Sequence, residues 1–275
     1  MKLLALSLGL LAVFSSTGNA APTDTSDGCA RSIAGQIINL FQSGQTGYNF
    51  AKCEKDSSGN GYASGIVNFT TRYGDALKVI EIFKQSSDYD GEFDDYMDTL
   101  QSYADKESGS TSGLSKYCDA WEKAANSSRS FWSAQDSVAY TEYQEPALNL
   151  AKRIGVQLEI THAVMYDTAI MEGPGSGKHS LGGIYDATNA EFNASQPSTS
   201  STNDLLVNNK YRVDEIVWLK EFLKSRESLS ESDSSDSIKT YTELINNGEY
   251  NWESGKVVIK GPDGDDTTVK CNYLS

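Results

Sequence analysis

Between residues 32 and 41, apolar side chains fall at Ile33, Ile37, Leu40 and Phe41, the spacing of one helical face. Gly44 and Gly47 end that pattern. Asp75 opens a second helix with Leu77, Ile80 and Phe83 on one side. Helical spacing returns at about 93–105, 114–126, 129–141, 146–171 and 212–227. The run over 146–171 carries Ala163-Val164-Met165-Tyr166, which marks it as a long, central, buried helix. Strand signals are fewer. Asn60-Gly61, inside the Ser/Gly-rich stretch 52–65, is the strongest hairpin signal in the chain. Val257-Val258-Ile259-Lys260 and Thr267-Thr268-Val269 flank Gly261-Pro262-Asp263-Gly264 and read as a C-terminal hairpin. Glycines at 173–183, Ser and Thr at 194–203, and Ser with acids at 228–237 read as loops. The pattern predicts a mainly α fold (α+β) with small β pieces and no internal repeat.

The first twenty residues stand apart. A basic start at Lys2, an apolar run from Leu3 to Phe14 and small residues through Ala20-Ala21 form a secretory signal peptide. Cleavage is expected after Ala20, with Ala21 as the alternative, which leaves 21–275 as a single domain. The apolar run is shorter than the roughly 20 residues a membrane helix needs, and no later run approaches that length. The mature protein is therefore expected outside the cell, soluble and monomeric, with no membrane partner.

Charge narrows the partners. Lys and Arg number 23 against 38 Asp and Glu, a net charge of −15. Such a surface repels the phosphates of nucleic acid and suits a cationic ligand. The 2 histidines rule out a multi-histidine metal site, and no cofactor motif is present. Cys29, Cys53, Cys118 and Cys271 are an even set with no close pair, which in an oxidising compartment implies two disulfides. Three connectivities stay open at this point, with the Cys271 bridge expected to tie the tail to the body. Asn68-Phe69-Thr70, Asn126-Ser127-Ser128 and Asn193-Ala194-Ser195 are N-glycosylation sequons in a eukaryotic host.

Several blocks occur together in one order: Gly61-Tyr62-Ala63-Ser64-Gly65, Phe69-Thr70-Thr71, Gly74-Asp75-Ala76-Leu77, Ala134-Gln135-Asp136, Tyr143 with Pro146-Ala147, Ala163 to Thr168, and Trp218-Leu219 with Phe222-Leu223 and Arg226. Over about residues 31–230 this series resembles the glycoside hydrolase family 46 chitosanases. The resemblance implies a two-lobed, lysozyme-like chitosanase fold with a cleft between the lobes. It also implies a chitosan ligand, a cationic β-1,4-linked glucosamine polysaccharide, which the acidic balance suits independently.

The family inverts by two carboxylates roughly 6.5–9.5 Å apart, one protonating the leaving oxygen and the other activating water. Here the family's acid falls on Gln42, within Leu40-Phe41-Gln42-Ser43, and its base falls on Ser58. The Arg of the family's Gly-Arg-Gly-Tyr-Thr has become Asn60, and the Thr that helps hold the water has become Ala63. A Gln amide has no acidic proton to give, and a Ser hydroxyl is a poor base near neutral pH. Losing general acid–base help costs on the order of 10²–10⁴-fold per group. Glu54, Asp56 and Asp75 are the candidate replacement carboxylates, against readings as solvated loop acids for the first two and a helix cap for the third. Tyr62, Asp75, Asn60, Tyr48 and Arg226 are the candidate substrate-binding residues. Arg226 is also expected to pair with a buried acid and organise the lobe junction, and Asp167 is expected to be a buried, hydrogen-bonded structural acid. Three functions remain: a chitosanase with relocated catalysis, a polysaccharide-binding pseudoenzyme, or a secreted effector that binds a protein.

Overall fold

The computed structural model describes residues 25–192, 203–232 and 234–271. The expected leader over 1–20, the sequon at Asn193 and most of the loop at 194–203 lie outside these residues. Helix α1 (Thr25–Ser43) buries the face read from its spacing, with Ile33 and Ile37 fully inaccessible. A small antiparallel sheet follows, in the order β1 (Cys53–Lys55), β2 (Tyr62–Ser64) and β3 (Phe69–Thr70). Then come α2 (Asp75–Phe83), a 3-10 turn at Asp94–Tyr96, α3 (Met97–Asp105), α4 (Tyr117–Ser127) and α5 (Arg129–Ala139). Ser128 separates α4 from α5 and caps the latter, its hydroxyl accepting the Phe131 N–H at 3.3 Å.

A π-helical turn at Tyr140–Gln144 leads into α6 (Glu145–Ile154) and α7 (Glu159–Glu172). The continuous helix expected over 146–171 is thus two helices. Gly155 adopts a left-handed conformation (φ 84°) and closes α6, a position where a side chain would be strained. The central buried helix is α7, with Ile160, Ala163, Val164, Met165 and Asp167 at zero exposure. The chain continues through α8 (Leu181–Glu191), the hairpin β4 (Asp204–Val207) and β5 (Tyr211–Asp214), α9 (Glu215–Leu229) and α10 (Ser235–Asn246). The helix expected to begin at 212 begins at 215, because Asp214 turns its carboxylate onto the Ile216 and Val217 N–H groups. The loop expected over 228–237 is shorter at both ends, since α9 runs to Leu229 and α10 begins at Ser235. Three of its serines donate to buried carboxylates: Ser230 and Ser232 to Glu172, and Ser237 to Asp167. The C-terminal hairpin forms as expected, β6 (Lys256–Lys260) against β7 (Asp266–Lys270).

Two hydrophobic cores result. One gathers α1, α6–α10 and the β4–β5 and β6–β7 hairpins around Trp218, Phe222 and Tyr241. The other gathers the first sheet with α2, α4 and α5 around Trp121, Phe83, Phe93 and Phe131. Tyr143 and Ile170 pack against both. Each core holds one disulfide, Cys29–Cys271 in the first and Cys53–Cys118 in the second. The first pins the tail as anticipated. Gln36 reinforces it, giving its Nε2 to the Lys270 carbonyl and accepting the Lys270 N–H. No helix among the described residues is long and apolar enough to cross a membrane.

Candidate functional site

The site is built where the end of α1 meets the turns of the first sheet. Gln42 is the penultimate residue of α1, held there by the buried face behind it. Its Oε1 accepts a hydrogen bond from Asn68 Nδ2 at 2.6 Å, and its Nε2 lies 3.2 Å from Met171 Sδ on α7. Asn68 belongs to the second core's side, in the turn between β2 and β3, with a left-handed backbone (φ 56°). The Gln42 amide is therefore a bridge between the two lobes. Beyond it, the loop 44–47 and the β6–β7 turn bound an open groove of about 640 Å³, lined also by Leu40, Pro262, Asp263 and Thr267.

Ser58 is exposed at the tip of the 56–61 turn that joins β1 to β2. The turn is closed by Asp56, whose carboxylate accepts the Asn60 N–H at 2.9 Å and whose own N–H donates to the Gly61 carbonyl. Arg72 fastens it from outside, giving Nη1 to Asn60 Oδ1 at 3.3 Å and its backbone N–H to the Asn60 carbonyl. On the other flank the turn meets Gly109. A Cβ there would lie 1.7 Å from the Gly59 carbonyl oxygen, so only glycine permits this approach.

The three candidate carboxylates have separate environments. Glu54 is exposed on β1 and pairs with Lys52 at 3.1 Å. Asp56 is the turn-closing acid just described. Asp75 is the first residue of α2, with Gly74 at the cap position. It is buried, and Oδ1 accepts from the Thr70 N–H at 2.7 Å, from Thr70 Oγ1 and from the Ala76 N–H. Its Oδ2 accepts the Tyr143 hydroxyl at 2.6 Å, a second link between the lobes. Burial pushes the Asp75 carboxyl above its usual range, while these hydrogen bonds pull against that rise.

Tyr62 is half-buried, with its ring 5.5 Å from that of Tyr117. Tyr48 sets its hydroxyl against Gly35 of α1, so tightly that a Cβ there would be 2.4 Å away. Arg226 is fully buried, with Nη2 2.6 Å from Asp167 and Nε 3.5 Å from Glu172. Expected to contact substrate, it is instead enclosed by two carboxylates, and that acid pairing was also anticipated. Asp167 further accepts from Ser237 and Tyr241, and burial raises its carboxyl above the usual range despite Arg226. A third link between the lobes joins Arg31 of α1 to Asp136 of α5. Of the sequons, Asn126 is exposed in the last turn of α4, whereas Asn68 holds its amide nitrogen against Gln42. Among the described residues no group of three or more His, Cys, Asp or Glu is placed to hold a metal ion.

Sequence reasoning missed Asn68 as the partner of Gln42, and it missed Arg72 as the residue that fastens the 56–61 turn. Arg72 stands in the gap between the Phe69-Thr70-Thr71 and Gly74-Asp75 blocks, where no shared motif draws attention to it.

The family profile described as Glycosyl hydrolase family 46 matches residues 36–254. A chitosanase of Bacillus subtilis (strain 168) is 32% identical over 193 residues, 70% of this chain and 64% of that protein. The chain thus matches a little under two thirds of that relative's length. A chitosanase of a Streptomyces species is 25% identical over 241 residues, 86% of this chain and 80% of its own. Among solved structures, native chitosanase from Bacillus subtilis MY002 superposes with a TM-score of 0.74 at 26% identity, covering 88% of this chain and 98% of the other. A Gynuella sunshinyii chitosanase in complex with chitotetraose gives 0.74 at 25% identity, covering 87% and 96%.

Proposed function

The chain belongs to glycosyl hydrolase family 46, and from that premise we propose that it is a secreted protein that binds chitosan-like β-1,4-glucosamine polysaccharide between its lobes without cutting it efficiently. One observation carries the second half. The residue at the family's acid position is a Gln whose amide oxygen is already accepting from Asn68, and the residue at the base position is an exposed Ser. Neither can move a proton as a carboxyl does.

The ligand class is supported from two sides. Related chitosanases have been solved with chitotetraose and with six glucosamine units. The net charge of −15 favours a polycation over a neutral or anionic polymer. The disulfides and the N-terminal leader support an extracellular setting.

A hydrolytic reading has one observation in its favour: Asp75 has the raised carboxyl that a general acid needs. Against it, both Asp75 oxygens accept hydrogen bonds from the fold, and Glu54 and Asp56 pair with a lysine and a turn amide. Titration of a glucosamine hexamer by calorimetry tests the binding half. Saturable binding that weakens with added salt is expected, and absence of heat at millimolar hexamer would overturn it.

A further inference from the structure

We infer that Tyr73, backed by Arg72, is a stacking platform for an uncharged pyranose ring beside the turn that carries Ser58 and Asn60. The inference deepens the polysaccharide reading above and rests on it. Tyr73 is 57% exposed, more than any other large hydrophobic side chain among the described residues. An aromatic ring held open to water presents a flat apolar face to the C–H face of a sugar.

The ring is positioned by two contacts, one to its face and one to its backbone. The Arg72 guanidinium carbon lies 5.1 Å from its centroid, and the same guanidinium bonds Asn60 Oδ1. The Tyr73 N–H donates to Thr70 Oγ1, and Thr70 in turn bonds Asp75 through its own N–H and hydroxyl. Arg72 and Thr70 therefore fix the ring relative to both the 56–61 turn and the Asp75 carboxylate. With a cation over one face and most of the side chain in water, the other face is open to a ligand.

The cation sets the preference. An arginine stays charged at every physiological pH. A glucosamine ammonium stacked on the open face meets a like charge across the ring, a weak repulsion at this exposed site. An N-acetylated unit carries no charge there, so the platform selects the acetylated sugar within an otherwise cationic chain.

The test is calorimetric titration of the full mature protein with a glucosamine hexamer and with a partly N-acetylated hexamer. Wild type is compared with Tyr73→Ala, Tyr73→Phe and Arg72→Gln. Tyr73→Ala should weaken both ligands about tenfold, and Tyr73→Phe should keep wild-type affinity. Arg72→Gln should shrink the advantage of the acetylated hexamer about twofold. Wild-type affinity in Tyr73→Ala would overturn the platform while leaving the polysaccharide reading intact. An unchanged ratio in Arg72→Gln would overturn the selection of an uncharged ring. If wild type binds neither hexamer, the polysaccharide reading falls and the platform with it.

Discussion

Replacing Arg226 with Met should destabilise the protein severely, and more so as pH rises. Arg226 is enclosed at zero exposure, with Asp167 at 2.6 Å and Glu172 at 3.5 Å, both also buried. Two carboxylates thus share one guanidinium, and four hydroxyls, from Ser230, Ser232, Ser237 and Tyr241, supply further donors. Methionine fills much the same volume but brings no charge, so the loss is electrostatic. Removing one partner of a buried ion pair costs about 3–5 kcal/mol. In a chain of this size each kcal/mol lowers Tm by roughly 2–4 °C, so a drop of about 10 °C is expected. The pH dependence follows from Asp167. Its carboxyl is already above the usual range through burial, and Arg226 is what limits the rise. A group with a raised folded pKa contributes stability that is present below its unfolded pKa and is lost as pH rises through the folded value. Without Arg226 that rise grows, so the variant's deficit should be smaller near pH 5 than at pH 7.5. Urea unfolding at both pH values measures it. A deficit under about 1 kcal/mol, or one equal at both pH values, would refute the assignment of Arg226 as the counter-ion of a buried acid pair.

Other consequences are open to simpler measurements. Asp75→Asn keeps the shape of a side chain that four donors converge on. Because burial raises the Asp75 carboxyl, wild type should lose stability relative to this variant as pH rises from 4 to 8, and a pH-independent difference would contradict the burial argument. Asp75→Ala removes the acceptor altogether and should cost about 1–3 kcal/mol, seen as a lower urea midpoint. The Cys29→Ser/Cys271→Ser variant should lose about 2–5 kcal/mol and expose β7 to protease, whereas the native protein should show no thiol reactive to a maleimide. Gly109→Ala should displace the 56–61 turn, since its Cβ has nowhere to go beside Gly59, and should weaken hexamer binding more than it lowers Tm.

Local patterns in the chain reveal local structure. The buried face of α1 was readable because Ile33, Ile37 and Leu40 follow one helical stripe. The C-terminal hairpin was readable because two β-rich runs flank Gly-Pro-Asp-Gly. The break at Gly155 was hidden, since helical spacing on both sides of it continues with no proline to interrupt the run. The start of α10 was hidden by its composition: Ser234 to Ser237 look like a flexible tract, yet the Ser237 hydroxyl bonds the Ser234 carbonyl and Asp167. The links between the lobes leave no local trace at all. Arg31 and Asp136 are 105 residues apart, Asp75 and Tyr143 are 68 apart, and Gln42 and Asn68 are 26 apart. That Gln42 and Ser58 stand where the family's two carboxylates are expected is a reading of the resemblance alone. That Asn68 now occupies the Gln42 amide was legible only in three dimensions.

The most direct test is reducing-end release and viscosity loss on chitosan, with purified wild type beside the double variant Gln42→Glu/Ser58→Asp. Wild type should bind the polymer and release no more ends than a heat-inactivated control, with cleavage appearing in the double variant. Rapid cleavage by the wild type would contradict the account and return Asp75, Asp56 and Glu54 to the position of catalytic groups.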